Sequence, residues 1–195
     1  MTNWRQVFSE DILVPRRLEQ RKEDRVKSAL RLLQQKKVEG SLDLKGIPIT
    51  SLGNLEYIRG NLDLKNTLIT SLDKLEYVGG FLFLENTPIT DIGNLKFVGA
   101  YLFARNTQIT SLGNLEHVGS SLYLYQTPIT SLGNLERVGS SLDLRSTLIT
   151  DLGKLKSTGS LYLRNTPIAR MTKEQQKEIL KNVGVRGGVY YEPRE

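Results

Sequence analysis

Hydrophobic residues recur along this chain at fixed positions of a 20-residue period that runs from Gly40 to about Arg170. Each period, or coil, has two leucines separated by one residue, then an isoleucine, two further leucines and a valine. The coils begin at Gly40, Gly60, Gly80, Ala100, Ser120, Ser140 and Ser160, and the last is shortened. A period of this length predicts a solenoid, because one coil is too small to bury its apolar face and must pack on its neighbours.

The alternation of leucine and polar residues at the start of each coil predicts a short strand with its leucines facing inward. A threonine follows the strand, as at Thr67, where its hydroxyl can bond backbone groups of the bend. The serine or aspartate at positions such as Ser51 is predicted to cap a single helical turn. Glycines such as Gly79 mark a tight return to the next strand.

Segments outside the repeats predict helices at both ends of the stack. Pro15 to Lys37 has a proline suited to a first turn and a partial apolar stripe. After the repeats, Thr172 to Gln175 has a capping-box sequence and Gly184 is a natural stop. Residues 188–192 are expected to form a final strand or an extended flap. The expected organisation is therefore a helical cap over 1–39, seven coils over 40–170, and a helical cap with an extended tail over 171–195.

The repeat carries a resemblance to a known family. Leu122 to Leu132 has the pattern L-x-L-x-x-T-x-I-x-x-L, which resembles leucine-rich repeats with threonine in place of the usual asparagine. Short repeats of this kind are similar to those of receptor L domains and of bacterial and phage repeat proteins. The resemblance covers about two-thirds of the chain. It implies an α/β solenoid, a right-handed coil stack with one parallel β-sheet face and helical caps, and it implies binding without naming a partner.

The composition of the chain indicates the cellular compartment in which the protein is expected. The chain has no cysteine, which favours a reducing compartment, and its sequence contains neither a signal peptide nor an apolar run of membrane-spanning length. We therefore expect a soluble, cytoplasmic protein with no membrane partner. The net charge is +6, and residues 1–39 hold ten Lys or Arg against six Asp or Glu, whereas residues 40–170 hold twelve against eleven. The basic excess thus lies mainly before the repeats.

Positions between the inward leucines define the exposed face of the sheet, and they vary while the core positions hardly change. Seven of the fourteen aromatic residues fall on this face, six of them in three successive coils whose strands lie about 4.8 Å apart. An apolar patch with a charged rim is typical of a protein-binding site. The predicted partner-binding residues are Phe81, Phe83, Tyr101, Phe103, Tyr123, Tyr125, Tyr162, Glu85, Arg105, Arg145 and Arg164.

Several other roles for the same aromatic residues stay open. The rings could stack across strands and only strengthen the sheet, a terminal flap could cover them, or two copies could form a homodimer through them. Single-stranded nucleic acid is a further alternative, with bases on the rings and phosphates on the arginines, including Arg17, Arg21 and Arg25. Against it, the coils are nearly charge-balanced and Glu85 lies within the patch.

Residues suited to catalysis are sparse. His117 is the sole histidine and falls on the returning segment, where we expect an ordinary surface residue. Asp43 and Asp63 could share a cation, but the alternating Lys45 and Lys65 favour a charged rim. Phosphate-binding, zinc-protease and hydrolase motifs are missing. We predict no enzyme activity, no metal and no cofactor. In the bacterial or phage setting that the resemblance suggests, the partner would be a host enzyme or defence factor, and the protein its inhibitor or adaptor.

Overall fold

A computed structural model describes residues 20, 21 and 23–191, which form a parallel β-solenoid with two sheets. We name them the face sheet and the back sheet. The back sheet is ordered β1 (Lys37–Val38), β3 (Tyr57–Ile58), β5 (Tyr77–Val78), β7 (Phe97–Val98), β9 (His117–Val118), β11 (Arg137–Val138), β13 (Ser157–Thr158) and β15 (Gly184–Val185). The face sheet is ordered β2 (Leu42–Asp43), β4 (Leu62–Asp63), β6 (Leu82–Phe83), β8 (Leu102–Phe103), β10 (Leu122–Tyr123), β12 (Ser141–Asp143), β14 (Ser160–Tyr162) and β16 (Val189–Tyr190).

The back sheet corrects the prediction of a single parallel sheet. The sequence predicted only a tight return at the glycines, but the returning segments bond to one another as parallel strands, with Val78 opposite Val98 and Tyr77 opposite Phe97. The reason lies in the backbone, because each return must satisfy its own N–H groups. The N–H of Gly99, for example, donates to the carbonyl of Val78 at 2.8 Å.

The core is a line of aliphatic side chains between the two sheets. In the central coils the predicted leucines, isoleucines and valines are fully buried, as at Leu82, Ile89 and Val98. Burying one such side chain contributes about 1.5–3 kcal/mol. The glycines of the return are needed for close packing, since a Cβ on Gly99 would collide with the carbonyl oxygen of Gly79 in the preceding coil.

The threonine column has the role that the sequence predicted for it. Each buried hydroxyl donates to the carbonyl three residues earlier, as Thr107 does to Ala104 at 2.7 Å and Thr87 does to Leu84 at 2.6 Å. The residue before the threonine takes a left-handed conformation, with φ of 57° at Asn86 and 55° at Asn106. Asparagine tolerates this conformation better than most residues, which explains its frequency at that position.

The serine and aspartate column was predicted to cap a helical turn, and this prediction is wrong. The segment after it is a simple turn, and the side chain accepts the N–H of the residue two positions later, at 2.9 Å from Gly53 to Ser51 and 2.9 Å from Gly93 to Asp91. Such side chains stabilise isolated turns as readily as helix starts, so residue type alone did not separate the two.

The N-terminal helix α1 comprises residues 20, 21 and 23–33; its predicted start at Pro15 and the predicted contact residue Arg17 lie outside the described residues. Ala29 and Leu33 of α1 belong to the core. The helix ends earlier than predicted, since Lys37 is in β1, where Val38 pairs with Ile58. Val38 stands one period before Ile58, so the valine column of the repeats begins there.

At the other end, helix α2 (Lys173–Leu180) has the predicted capping box between Thr172 and Gln175. A 3-10 helix, Ile168–Arg170, precedes it. Gly184 ends no helix but begins β15, and the tail forms the strand β16 that was one of its two predicted forms. Tyr190 pairs with Tyr162, 28 residues earlier, so the C-terminal segment forms a longer coil that contains α2.

We expect Thr107→Val to destabilise the protein by about 1–2 kcal/mol, because it leaves a buried carbonyl oxygen without its hydroxyl donor. The matched control is Thr110→Val in the same coil, where the threonine is exposed. Chemical denaturation followed by circular dichroism gives both values. Equal stability of the two variants would show that the threonine column does not support the bend.

Candidate functional site

Five aromatic side chains on the face sheet form a continuous stack, here called the aromatic ladder: Phe81, Phe83, Tyr101, Phe103 and Tyr123. Along the middle column, ring centroids are 5.1 Å apart between Phe83 and Phe103 and 5.0 Å apart between Phe103 and Tyr123. In the neighbouring column Phe81 lies 5.3 Å from Tyr101. The parallel register of β6, β8 and β10 causes this, since it places like positions one strand spacing apart.

The ladder shows the cross-strand stacking that the sequence left open as one alternative. The rings stack with interplanar angles of 4° and 9° along the middle column, so they strengthen the sheet as aromatic pairs do, by about 0.5–1.5 kcal/mol per pair. Each of the five side chains is nevertheless partly exposed. The inner rings cover one another's faces and present their edges to solvent.

A basic side chain lies over the first ring of the middle column. The ammonium of Lys65 is 4.1 Å from the ring centroid of Phe83, a cation–π distance. The same ammonium is 3.2 Å from Asp63, whose other oxygen accepts the backbone N–H of Lys65 at 3.0 Å. Asp43 similarly accepts the N–H of Lys45 and pairs with Arg25 of α1. Donors of this chain therefore occupy both carboxylates of the pair that was considered for a cation.

The other end of the ladder carries a stronger ion pair. Asp143 is 2% exposed and accepts two hydrogen bonds from the guanidinium of Arg145, at 2.8 and 2.6 Å. The hydrogen bond to Asp143 raises the pKa of Arg145 above its ordinary value. The guanidinium also lies 5.6 Å from the ring centroid of Tyr125 and 5.8 Å from that of Tyr162. A bidentate pair of this kind holds Arg145 in a fixed position.

Glu85, Arg105 and Tyr125 form a small polar group beside the ladder. Arg105 donates to the hydroxyl of Tyr125 at 2.9 Å, and its Nε is 3.5 Å from Oε1 of Glu85. The hydrogen bond to Tyr125, more than the charge of Glu85, raises the pKa of Arg105. Tyr125 therefore contacts the arginines on either side of it, whereas the sequence had grouped it with the aromatic patch.

Tyr162 stands apart from the ladder, because Asp143 occupies the position between it and Tyr123. Its ring stacks at 4.8 Å on Tyr190, which the sequence did not place on the face. Tyr190 was missed because α2 lengthens the last coil and breaks the 20-residue spacing. Arg164 is exposed and lines a cleft with Tyr125 and Arg145, at the edge of the predicted site.

The back sheet carries a second aromatic stack, which sequence reasoning did not treat as a surface. Tyr57 and Tyr77 lie 4.4 Å apart, Tyr77 and Phe97 4.9 Å, and His117 lies 6.2 Å from Phe97 at a tilt. Burial raises the pKa of Tyr77. The 20-residue spacing of this column was visible in the sequence. Because the sequence did not predict the back sheet, these residues were not assigned to a common surface. His117 lies on this sheet, away from the aromatic ladder.

Chemical groups for a metal site do not converge in the part of the chain that the structure describes, where no three His, Asp or Glu residues are arranged to hold an ion. Among the described helices, none has the length and apolar character needed to cross a membrane. A scan against protein-family models finds no match, and a search of curated proteins finds no similar sequence.

We expect Asp143→Asn to lower the free energy of unfolding by roughly 1–3 kcal/mol, because a buried carboxylate loses charged hydrogen bonds. Asp43→Asn is the matched control: this aspartate holds an equivalent backbone bond and an arginine, but its side chain is 68% exposed. Its loss should stay below about 1 kcal/mol, as for surface ion pairs. Urea denaturation measures both, and equal small losses would contradict the assigned role of Asp143.

Proposed function

We propose that this protein is a non-enzymatic binding module that holds a protein partner against the aromatic ladder. The observation that carries the proposal is that five partly exposed rings form one continuous surface on a rigid sheet. Exposed aromatic clusters of this kind mark interaction sites. Aromatic residues also supply much of the energy of protein interfaces, where they lie at the centre and polar residues surround them.

The arrangement of charge at the ends of the ladder supports a protein partner. Lys65 is paired with Asp63, and Arg145 with Asp143, so each cation carries its own counter-ion. A rim of this type adds polarity without a strong field of either sign. It suits a partner surface that is itself apolar at the centre and mixed in charge at the edge.

Preorganisation is a second support. Each ring of the middle column is held by its neighbour, and Phe83 is also held by the ammonium of Lys65. Little side-chain entropy is then lost when a partner covers the ladder. A flat sheet bearing loose aromatic side chains would lose more.

Single-stranded nucleic acid fits this surface less well. Base stacking needs open ring faces, but the inner faces of the ladder cover one another and Lys65 lies over Phe83. Arg145, one of the arginines assigned to phosphates, is bonded to Asp143. A homodimer through the ladder is the other alternative, and the measurements below distinguish it.

We take the coils to be of leucine-rich type with helical caps, on the strength of the Leu-x-Leu strands, the buried threonine column and the packing of α1 residues Ala29 and Leu33 in the core. We also propose a cytoplasmic location, which the lack of cysteine favours, and a bacterial or phage setting, which the resemblance of the repeat suggests, with a host enzyme or defence factor as partner. In this setting the module would act as an inhibitor or adaptor.

We expect Phe103→Ala to weaken partner binding roughly 30-fold or more, because truncating a hot-spot aromatic costs about 2 kcal/mol or more. The matched control is Tyr77→Ala, since each residue is the middle ring of a three-ring stack, at 5.1 and 5.0 Å for Phe103 and at 4.4 and 4.9 Å for Tyr77. The two variants should lose similar stability. Affinity capture from the native organism, then titration of the captured protein, measures binding.

Equal binding by Phe103→Ala and Tyr77→Ala would contradict the proposal. Two further measurements identify the alternatives. Binding of single-stranded oligonucleotides that weakens steeply with salt would favour nucleic acid. A dimer mass by light scattering that falls to the monomer mass in Phe103→Asp would favour self-association.

A further inference from the structure

A cleft of about 380 Å³ opens on the face sheet beside the aromatic ladder. Its walls include the rings of Phe103, Tyr123 and Tyr125, together with two ion pairs, Glu85 with Arg105 and Asp143 with Arg145. The cleft therefore joins an apolar wall to a carboxylate. Within the proposed binding face it is the place where the structure specifies the partner's chemistry most closely.

Within this cleft the carboxylate of Glu85 has an incomplete set of hydrogen bonds. The residue is 8% exposed, and its Oε2 is buried without a hydrogen-bond partner among the described residues. A buried carboxylate oxygen without a donor is unfavourable. By contrast, the carboxylates of Asp63 and Asp143 at the two ends of the ladder each have a backbone donor and a basic side chain.

Arg105 does not supply the missing donor. It approaches Glu85 through one nitrogen, Nε, at 3.5 Å from Oε1, while its Nη1 bonds to the hydroxyl of Tyr125. The other oxygen of Glu85 receives nothing from it. Arg105 starts from the neighbouring strand of the sheet, so it reaches Glu85 from the side. Its side chain is 51% exposed, and a competitor can displace it at little cost in packing.

We propose that the cleft binds the guanidinium of an arginine from the protein partner, with Glu85 as its carboxylate and the rings of Tyr123 and Tyr125 as its wall. This inference rests on the proposed function, which it makes more specific. The guanidinium enters from solvent, displaces Arg105 from Glu85 and bonds both carboxylate oxygens. Arg105 then keeps its bond to the Tyr125 hydroxyl.

A guanidinium suits this cleft better than an ammonium does. It is planar and donates two parallel N–H groups, which match the two oxygens of a carboxylate. It is also less strongly hydrated than an ammonium and packs well against aromatic rings.

The test is an NMR titration of the full chain with the peptide acetyl-Ala-Arg-Ala-amide, followed on the ring resonances of Tyr123 and Tyr125. The control peptide carries citrulline, which keeps the shape of arginine and lacks its charge. We expect saturable shifts with the arginine peptide and none with the citrulline peptide. Equal binding of the two peptides, or no saturable shift, would overturn the proposal.

Variants locate the binding to Glu85. Glu85→Gln keeps the side-chain shape and should weaken binding of the arginine peptide roughly tenfold, because a charged hydrogen bond is lost. Glu116→Gln, at an exposed glutamate on the return segment, should leave binding unchanged. Arg105→Ala should bind the peptide at least as tightly as wild type, because the displaced side chain is gone. Unchanged binding in Glu85→Gln, or weaker binding in Arg105→Ala, would contradict the site.

Three further outcomes separate this inference from the function on which it rests. Free arginine that binds as tightly as the peptide would overturn the assignment to a protein side chain. A partner whose binding is lost in Phe103→Ala but unchanged in Glu85→Gln would leave the aromatic ladder as the binding face and remove the guanidinium site. Loss in neither variant would remove both.

Discussion

Backbone hydrogen bonds between residues one coil apart are the constraint on which the rest of this structure depends. In the face sheet the N–H of Leu82 donates to the carbonyl of Tyr101 at 2.9 Å, and similar bonds join coil to coil from α1 to the tail. They fix a parallel register in which every side chain lies above its own counterpart. Because the backbone sets the register, each core column places similar side chains directly on top of one another. Aliphatic side chains pack well in such a column. This is how a short repeat builds a long core.

The same register decides what the surface can be. Aromatic side chains placed above one another stack, and this produces the ladder around Phe103 and the second stack around Tyr77. Carboxylates placed above one another would repel, and Asp43 and Asp63 avoid this by bonding a backbone N–H and a basic side chain. Glu85 differs from them, because Arg105 approaches only its Oε1, and its Oε2 has no hydrogen-bond partner among the described residues. A buried carboxylate with one oxygen left without a donor is where a ligand has most to contribute.

The sequence predicted much of the fold because residues 20 positions apart in the sequence are paired in the parallel register of neighbouring coils. The face strands, the buried leucines and the hydroxyl bonds of the threonine column all follow from positions alone. The back sheet did not, because a two-residue strand such as Val78 with Tyr77 has no alternation long enough to distinguish it from a turn. The place of Tyr190 was lost for another reason: α2 lies within its coil and shifts the spacing. For the site, the columns of the repeat indicated which aromatic rings lie next to each other. The hydrogen bond from Arg105 to Tyr125 depends on side-chain conformation, which the repeat pattern does not specify.

In the proposed complex a partner covers the aromatic ladder and leaves the back sheet exposed. Site-specific photo-crosslinking tests it most directly, with benzoylphenylalanine placed at Tyr101 on the ladder or at Tyr57 on the back sheet, two positions that already hold partly exposed aromatic side chains. Irradiation in the native cell extract should give a discrete higher-mass adduct from the substitution at Tyr101 and none from that at Tyr57. An adduct from the back sheet with none from the ladder would contradict the account.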